Sequence, residues 1–160
     1  MKRQRPEIGD VFSIQLMDGE FATGQVVGRE REVLNSITCA FFSAKHTRPS
    51  STLNEAGSLI SCLFITSDLL RRGKWTIEGN DVISVPQEIQ PYEHLRSSGW
   101  VGAKVIGSGI VERFLNAFHG LDYWDVWADP NYLDSLLICQ NVKPNQLKLK
   151  AEQMDEPEPE

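Results

Sequence analysis

The chain begins with alternation. In Val11 to Leu16 (VFSIQL), Phe12, Ile14 and Leu16 fall on one side of an extended backbone, and Phe21 to Val27 (FATGQVV) forms a second strand candidate. MDGE joins them. Asp18-Gly19 between two such runs predicts a hairpin with a type I′ turn, because that turn needs positive φ at both central residues. The corresponding register sets Leu16 opposite Phe21 and Ile14 opposite Thr23. Gly24 and Gly28 predict a bulge or sharp bend in the second strand.

Ile37 to Phe42 (ITCAFF) reads as a third strand and Leu59 to Ile65 (LISCLFI) as a strand buried on both faces. The polar, aperiodic stretch 44–58 between them is a long loop, of the kind that is usually functional or mobile. SDLLRRG predicts a short helical turn, capped at Ser67 or Asp68 and stopped at Gly73. KWTIEGNDVISV holds two more short strand candidates, and Trp100 to Ile106 (WVGAKVI) another.

SGIVERFLNAFHG is the clearest helix. Ser108 caps it, Gly120 ends it, and Ile110, Val111, Phe114, Leu115 and Phe118 line one face. Asp129-Pro130 opens a second helix, with Leu133, Leu136 and Leu137 as its buried stripe. The expected class is α+β: a β-rich, strongly curved, mostly antiparallel sheet, curled as far as an incomplete barrel, packed with two helices from the C-terminal half. Residues 1–150 form one domain of ordinary core size. Residues 151–160 (AEQMDEPEPE), with five acids and no base, are expected to be a disordered tail.

Composition narrows the function. Hydrophobic residues at 41% and charged residues at 24% give a globular profile with no run long enough for a membrane span. The basic start, MKRQRPEIGD, lacks the apolar stretch of a secretory signal. Cys39, Cys62 and Cys139 lie far apart in apolar surroundings, as buried thiols in a reducing compartment do, and neither CxxC nor a histidine pair offers a zinc site.

Outside the tail, 17 acids nearly balance 16 bases, but residues 105–142 carry five acids (Glu112, Asp122, Asp125, Asp129 and Asp134) against Arg113 alone. A nucleic-acid binder is expected to carry a basic stripe, and this region is the reverse. Catalysis has few candidates: Glu93 beside His94, and His119 three residues before Asp122, with no nucleophile motif near either. Gly107 and Gly109 before the helix lack the rest of a phosphate-loop pattern.

The densest segment is DYWDVWADPNY, with two tryptophans, two tyrosines and three aspartates. If Asp122 to Asp129 is extended, Trp124, Val126 and Ala128 make an apolar face, while Tyr123, Asp125, Trp127 and Asp129 mix rings with carboxylates on the other. Two readings of the second face stand side by side. It closes a sheet edge, with Asp129 capping the next helix, or Asp122, Tyr123, Asp125, Trp127 and Asp129 meet a partner.

The opening hairpin resembles the bacterial immunity protein 26 family. The similarity rests on Gly9, Asp10, Phe12, Ile14, Leu16, Asp18, Gly19, Phe21, Gly24 and Val26. A second match follows at Gly73, Trp75, Ile77 and Gly79, then Pro91-Tyr92, so that roughly the first 95 residues are covered. Gln15 and Gln25 depart from the pattern, where proline and arginine are frequent. The resemblance implies a cytoplasmic, non-catalytic antitoxin, needing no cofactor, that binds a cognate toxin of a polymorphic toxin system. A basic nuclease is one candidate toxin; no membrane or nucleic-acid partner is expected. A carbohydrate-binding module or a regulatory adaptor is the rival class, since rings and carboxylates also line sugar sites. Truncation after Lys150 is expected to leave the melting temperature nearly unchanged, and a drop of many degrees would show that the tail docks on the body.

Overall fold

The computed structural model describes residues 1–31 and 33–150. Residues 151–160, expected to be a disordered tail, lie outside the described residues. Five strands, β1 (Asp10–Gln15), β2 (Phe21–Glu30), β3 (Ser36–His46), β4 (Leu59–Ile65) and β5 (Thr76–Asn80), form one sheet in the order β4-β3-β2-β1-β5. Every neighbouring pair is antiparallel. The first four strands make a meander, and β5 adds to the free side of β1.

The sheet is open and not strongly curled, so the expected near-barrel curvature is not found. The glycines do bulge the second strand, with register shifts at Ala22/Gly24 and Val26/Gly28. Gly24, however, serves packing. A Cβ there would lie 2.5 Å from Phe12 Cζ and 3.2 Å from the Ala40 carbonyl oxygen. The space a side chain would fill is occupied by the Phe12 ring, which stacks on Trp75 (centroids 5.5 Å apart, interplanar angle 3°) and meets Phe41 edge-on.

The first hairpin forms, but one residue out of the expected register. Gln15 pairs with Phe21, and Ile14 with Ala22. Leu16 N–H donates to Glu20 O and Gly19 N–H to Leu16 O, which makes a three-residue loop with only Gly19, at φ +85°, in the left-handed region. This is the turn-plus-bulge alternative to a two-residue type I′ turn. Since side chains alternate, the slip moves Phe21 off the main core face and brings Ala22, Gly24 and Val26 under Phe12 and Ile14.

Both faces of the sheet are covered. The main core joins Phe12, Ile14, Val26, Ile37, Cys39 and Phe41 to helix α2 (Ser108–Phe118) and to Trp75 and Trp124. A smaller cluster on Val27, Ala40, Phe42 and Cys62 is closed by Ala56 and Val85. Phe64 with Trp100 makes a third. Ile60 to Cys62 and Phe64 to Ile65 are therefore buried, as the apolar run of β4 predicts.

Helix α1 (Asp68–Arg71) is short, with Ser67 at its N-cap and Gly73 at φ +83° just beyond it. Ser108 is the first residue of α2 rather than its cap; its hydroxyl donates to Asp68 Oδ1 at 2.6 Å. The second late helix is reduced to a 3-10 turn, Leu133–Leu136, because the Asp129 side chain and carbonyl hold a tight turn at Asn131 and Tyr132 instead of capping a helix. Leu133, Leu136 and Leu137 are nonetheless buried. Trp100 to Ile106 contributes one bridge, Ile106 to Ile65, and no strand follows β5 in KWTIEGNDVISV. Cys39 and Cys62 are buried free thiols, whereas Cys139 is exposed. No helix among the described residues is long and apolar enough to cross a membrane.

Two predictions follow from this packing. Gly24→Val should destabilise the protein by about 1–3 kcal/mol in urea unfolding, since the new side chain must displace the Phe12 ring. His119, at the C-cap of α2, is held below its ordinary pKa of 6.5, first by burial and then by Lys45, against the opposing pull of Asp18 and Glu20. The unfolded chain then binds the proton more readily than the folded one. Stability should fall as pH drops below about 6.5, until the depressed folded pKa is passed. Melting curves of His119→Asn across that window should show a shallower fall than wild type.

Candidate functional site

The segment after α2 is irregular rather than extended, and its fixed point is Trp124. This side chain is 2% exposed and packs against Phe114 with centroids 5.8 Å apart. Its indole N–H donates to Asp134 Oδ1 at 2.7 Å, and its backbone N–H to Lys148 O at 2.9 Å. A buried indole needs such an acceptor, and the fold brings one from the 3-10 turn ten residues later. The expected apolar face ends there, since Val126 is half-buried and Ala128 exposed.

Around Trp124, the rings of Tyr123 and Trp127 are half-buried at the surface. Each carries a cation on its face: Lys148 Nζ lies 4.6 Å from the Tyr123 centroid, and the Arg113 guanidinium 4.5 Å from that of Trp127. Trp127 also packs on Tyr132 at 5.0 Å. Its indole Nε1 is buried with no hydrogen-bond partner among the described residues.

The carboxylates are engaged locally. Asp122 accepts the Tyr123 N–H at 2.7 Å and lies 3.6 Å from Arg113 Nε. Asp125 accepts the Lys150 N–H at 2.7 Å, and Asp129 the Asn131 N–H at 2.9 Å. Asp134 holds Lys143 at 2.9 Å. The concentration of acid seen along residues 105–142 is thus moderated in space. Two lysines that follow it, Lys143 and Lys148, are brought back beside it, which local sequence windows do not reveal.

The five singled-out residues, Asp122, Tyr123, Asp125, Trp127 and Asp129, follow one another along this surface segment, with Trp124 turned inward. Arg113 and Lys148 belong to the same surface; Arg113 stands out in the sequence as the one base of residues 105–142, whereas nothing in its own neighbourhood marks Lys148.

The residues considered for catalysis are placed differently. Glu93 is drawn below the ordinary carboxylate range by Arg96 and then Gln87, and His94 is exposed. Asp122 is taken by Arg113, while the groups acting on His119 are Lys45, Asp18 and Glu20. Burial pushes the Cys62 thiol up to about 12 and, together with Cys62 itself, Cys39 well above its ordinary value, so neither supplies a thiolate. Among the described residues, no group of three or more His, Cys, Asp or Glu side chains is placed to hold a metal ion.

Of the two departures from the family pattern, Gln25 is fully buried. Its Nε2 donates to Asp81 O at 2.9 Å and Gly9 O at 3.3 Å, tying β2 to the chain after β5, so it is not a partner-facing residue. Gln15 is exposed.

The family model of immunity protein 26 matches residues 7–99. No curated protein and no solved structure matches the chain significantly. The matched residues include all five strands, with Gly24 beneath Phe12 and Trp75 stacked upon it; the segment Asp122 to Asp129 lies beyond them. Because the match spans more than half of the chain and the entire sheet, this chain belongs to the immunity protein 26 family, which implies neutralisation of a cognate toxin.

Proposed function

We propose that this protein binds its cognate toxin stoichiometrically in the bacterial cytoplasm, turns over no substrate, and uses the surface of Asp122, Tyr123, Asp125, Trp127 and Asp129 as part of the interface. Membership of the immunity protein family carries the first part of this reading. The second part is supported by the disposition of the rings. Trp127 and Tyr123 present large, partly desolvated faces already stiffened by Arg113 and Lys148, and such aromatic anchors supply most of the binding energy in many interfaces. The flanking aspartates favour a partner with a basic surface, as a nuclease would have, and complementary charge raises its association rate.

Co-expression with the toxin should restore growth, and the two proteins should co-purify in equal amounts. Rescue at far lower amounts, with the toxin or its product chemically altered, would show an enzyme instead.

The paired test of the surface is Trp127→Ala against Trp124→Ala. The first should weaken toxin binding by roughly 30-fold or more, at about 2–4 kcal/mol, with the fold intact. The second should cost about 3–5 kcal/mol of stability, because it empties a buried site. Wild-type toxin affinity for Trp127→Ala, or its unfolding, would exclude this surface and turn attention to the loop 44–58.

A further inference from the structure

On the described body, arginines that are scattered in the sequence converge. Arg3 and Arg5 come from the N-terminal arm, Arg29 from the end of β2, and Arg71 from α1; together with Glu7 they line a hollow of about 700 Å3. An adjoining hollow of about 680 Å3 shares Arg3 and Arg71 and adds Arg72, Leu34, Ser36 and Val105.

The arm is anchored, not loose. Gln4 Nε2 donates to Leu70 O and Trp75 O, both at 2.7 Å, and Gln4 Oε1 accepts the Ile77 N–H. With Gln4 turned inward, Arg3 and Arg5 on either side of it are left at the rim. Arg29 is steadied by a 2.8 Å hydrogen bond from Nη2 to Pro6 O. Among the described residues, none of these five guanidinium groups is in a salt bridge. Two carboxylates border them. Of these, Asp68 accepts from the Ser108 and Thr66 hydroxyls and also feels the charge of Arg72; Glu7 is the other. In the second hollow, the Ser36 hydroxyl is 2% exposed and has no hydrogen-bond partner among the described residues. Such a group is costly unless something satisfies it.

We infer that this arginine cleft is a second binding site, which takes a carboxylate-bearing peptide segment of a protein partner, with an apolar side chain of that segment seated against Leu34 and Val105. Guanidinium groups pair with carboxylates in two parallel hydrogen bonds, and arginine clusters are a recurring means of reading acidic motifs. Leu34 is 87% exposed at the rim, where a nucleic-acid backbone would offer it nothing apolar. On a chain with net charge -6, this patch is a local one and not the extended stripe that tracks phosphates. The cleft is separate from the aromatic segment in composition and in the elements that build it, and the inference does not depend on the toxin interface proposed above.

The test is fluorescence anisotropy on the full chain with three labelled probes: a peptide of alternating Glu-Glu-Leu units, the same peptide with serine for leucine, and a single-stranded deoxyoligonucleotide of matched charge. The leucine peptide should bind most tightly. Arg3→Gln with Arg71→Gln should weaken it by about tenfold or more, the loss expected for charge-assisted hydrogen bonds, with an unchanged melting temperature. If that pair disturbs the arm, Arg72→Gln alone, on an exposed side chain, should lower affinity in the same direction. Leu34→Asn, which tolerates the left-handed backbone at φ +50°, should weaken the leucine peptide and leave the serine peptide unaffected. Trp127→Ala should change none of these values. The proposal is overturned if the leucine peptide fails to bind, if its binding ignores the arginine substitutions, if Leu34→Asn affects both peptides alike, or if the oligonucleotide binds more tightly.

Discussion

The rest of the structure depends on one close contact, the Phe12 ring lying over Gly24. It lets the Phe12 ring approach β2 closely while stacking parallel on Trp75, with Phe41 edge-on to both. The three rings draw together β1, β3 and the entry to β5, which are far apart in sequence. Trp75 then reaches helix α2, donating its indole N–H to Glu112 Oε1 at 3.2 Å, while Lys74 holds the other oxygen of the same carboxylate at 3.0 Å. A single missing side chain thereby sets how closely the sheet, its last strand and the helix approach one another. Interiors this tightly packed transmit even small volume changes.

The same contact explains why the sheet stays open. Glycines in a strand permit strong curvature, but they also permit close approach of a ring, and the two uses compete for the same space. Here the ring fills it. Curvature is further limited because both faces are packed, one by α2 and the C-terminal segments and the other by Ala56, Val85 and their neighbours. The N-terminal arm completes this arrangement. Its Gln4 bonds α1 and β5 together, and that anchoring holds Arg3 and Arg5 beside Arg71.

Two surfaces of unlike character result. One is aromatic, with carboxylates and cations interleaved around Trp127 and Tyr123. The other is a cleft of arginines around a buried, unpartnered hydroxyl. The family match covers the sheet and part of the cleft but not the aromatic segment. A fold does not by itself fix a binding surface, so the surface for choosing a partner need not coincide with the residues that define the fold.

Much of the architecture was legible along the chain by itself. Alternating apolar positions marked β1 to β4, helical spacing marked α2, and the buried leucines after Tyr132 were identifiable even though their helix is only a 3-10 turn. The family pattern was legible for the same reason, since turn glycines and core rings are local marks of a fold. Trp124 as core was legible too, although the strand assumed for it does not exist, whereas Trp127, left open between closing an edge and meeting a partner, is half-buried and packed against the main core. Tertiary structure alone decided the hairpin register, because Asp18-Gly19 suits both a three-residue loop and a two-residue turn, and closing the core face beneath Phe12 chooses between them. It alone decided the burial of Gln25, the lysines folded back onto the acidic region, and the meeting of Arg3, Arg5, Arg29 and Arg71. Periodicity reports which side of an element is buried. It carries no information on which distant charge comes to lie beside it, since that depends on how the elements pack in three dimensions.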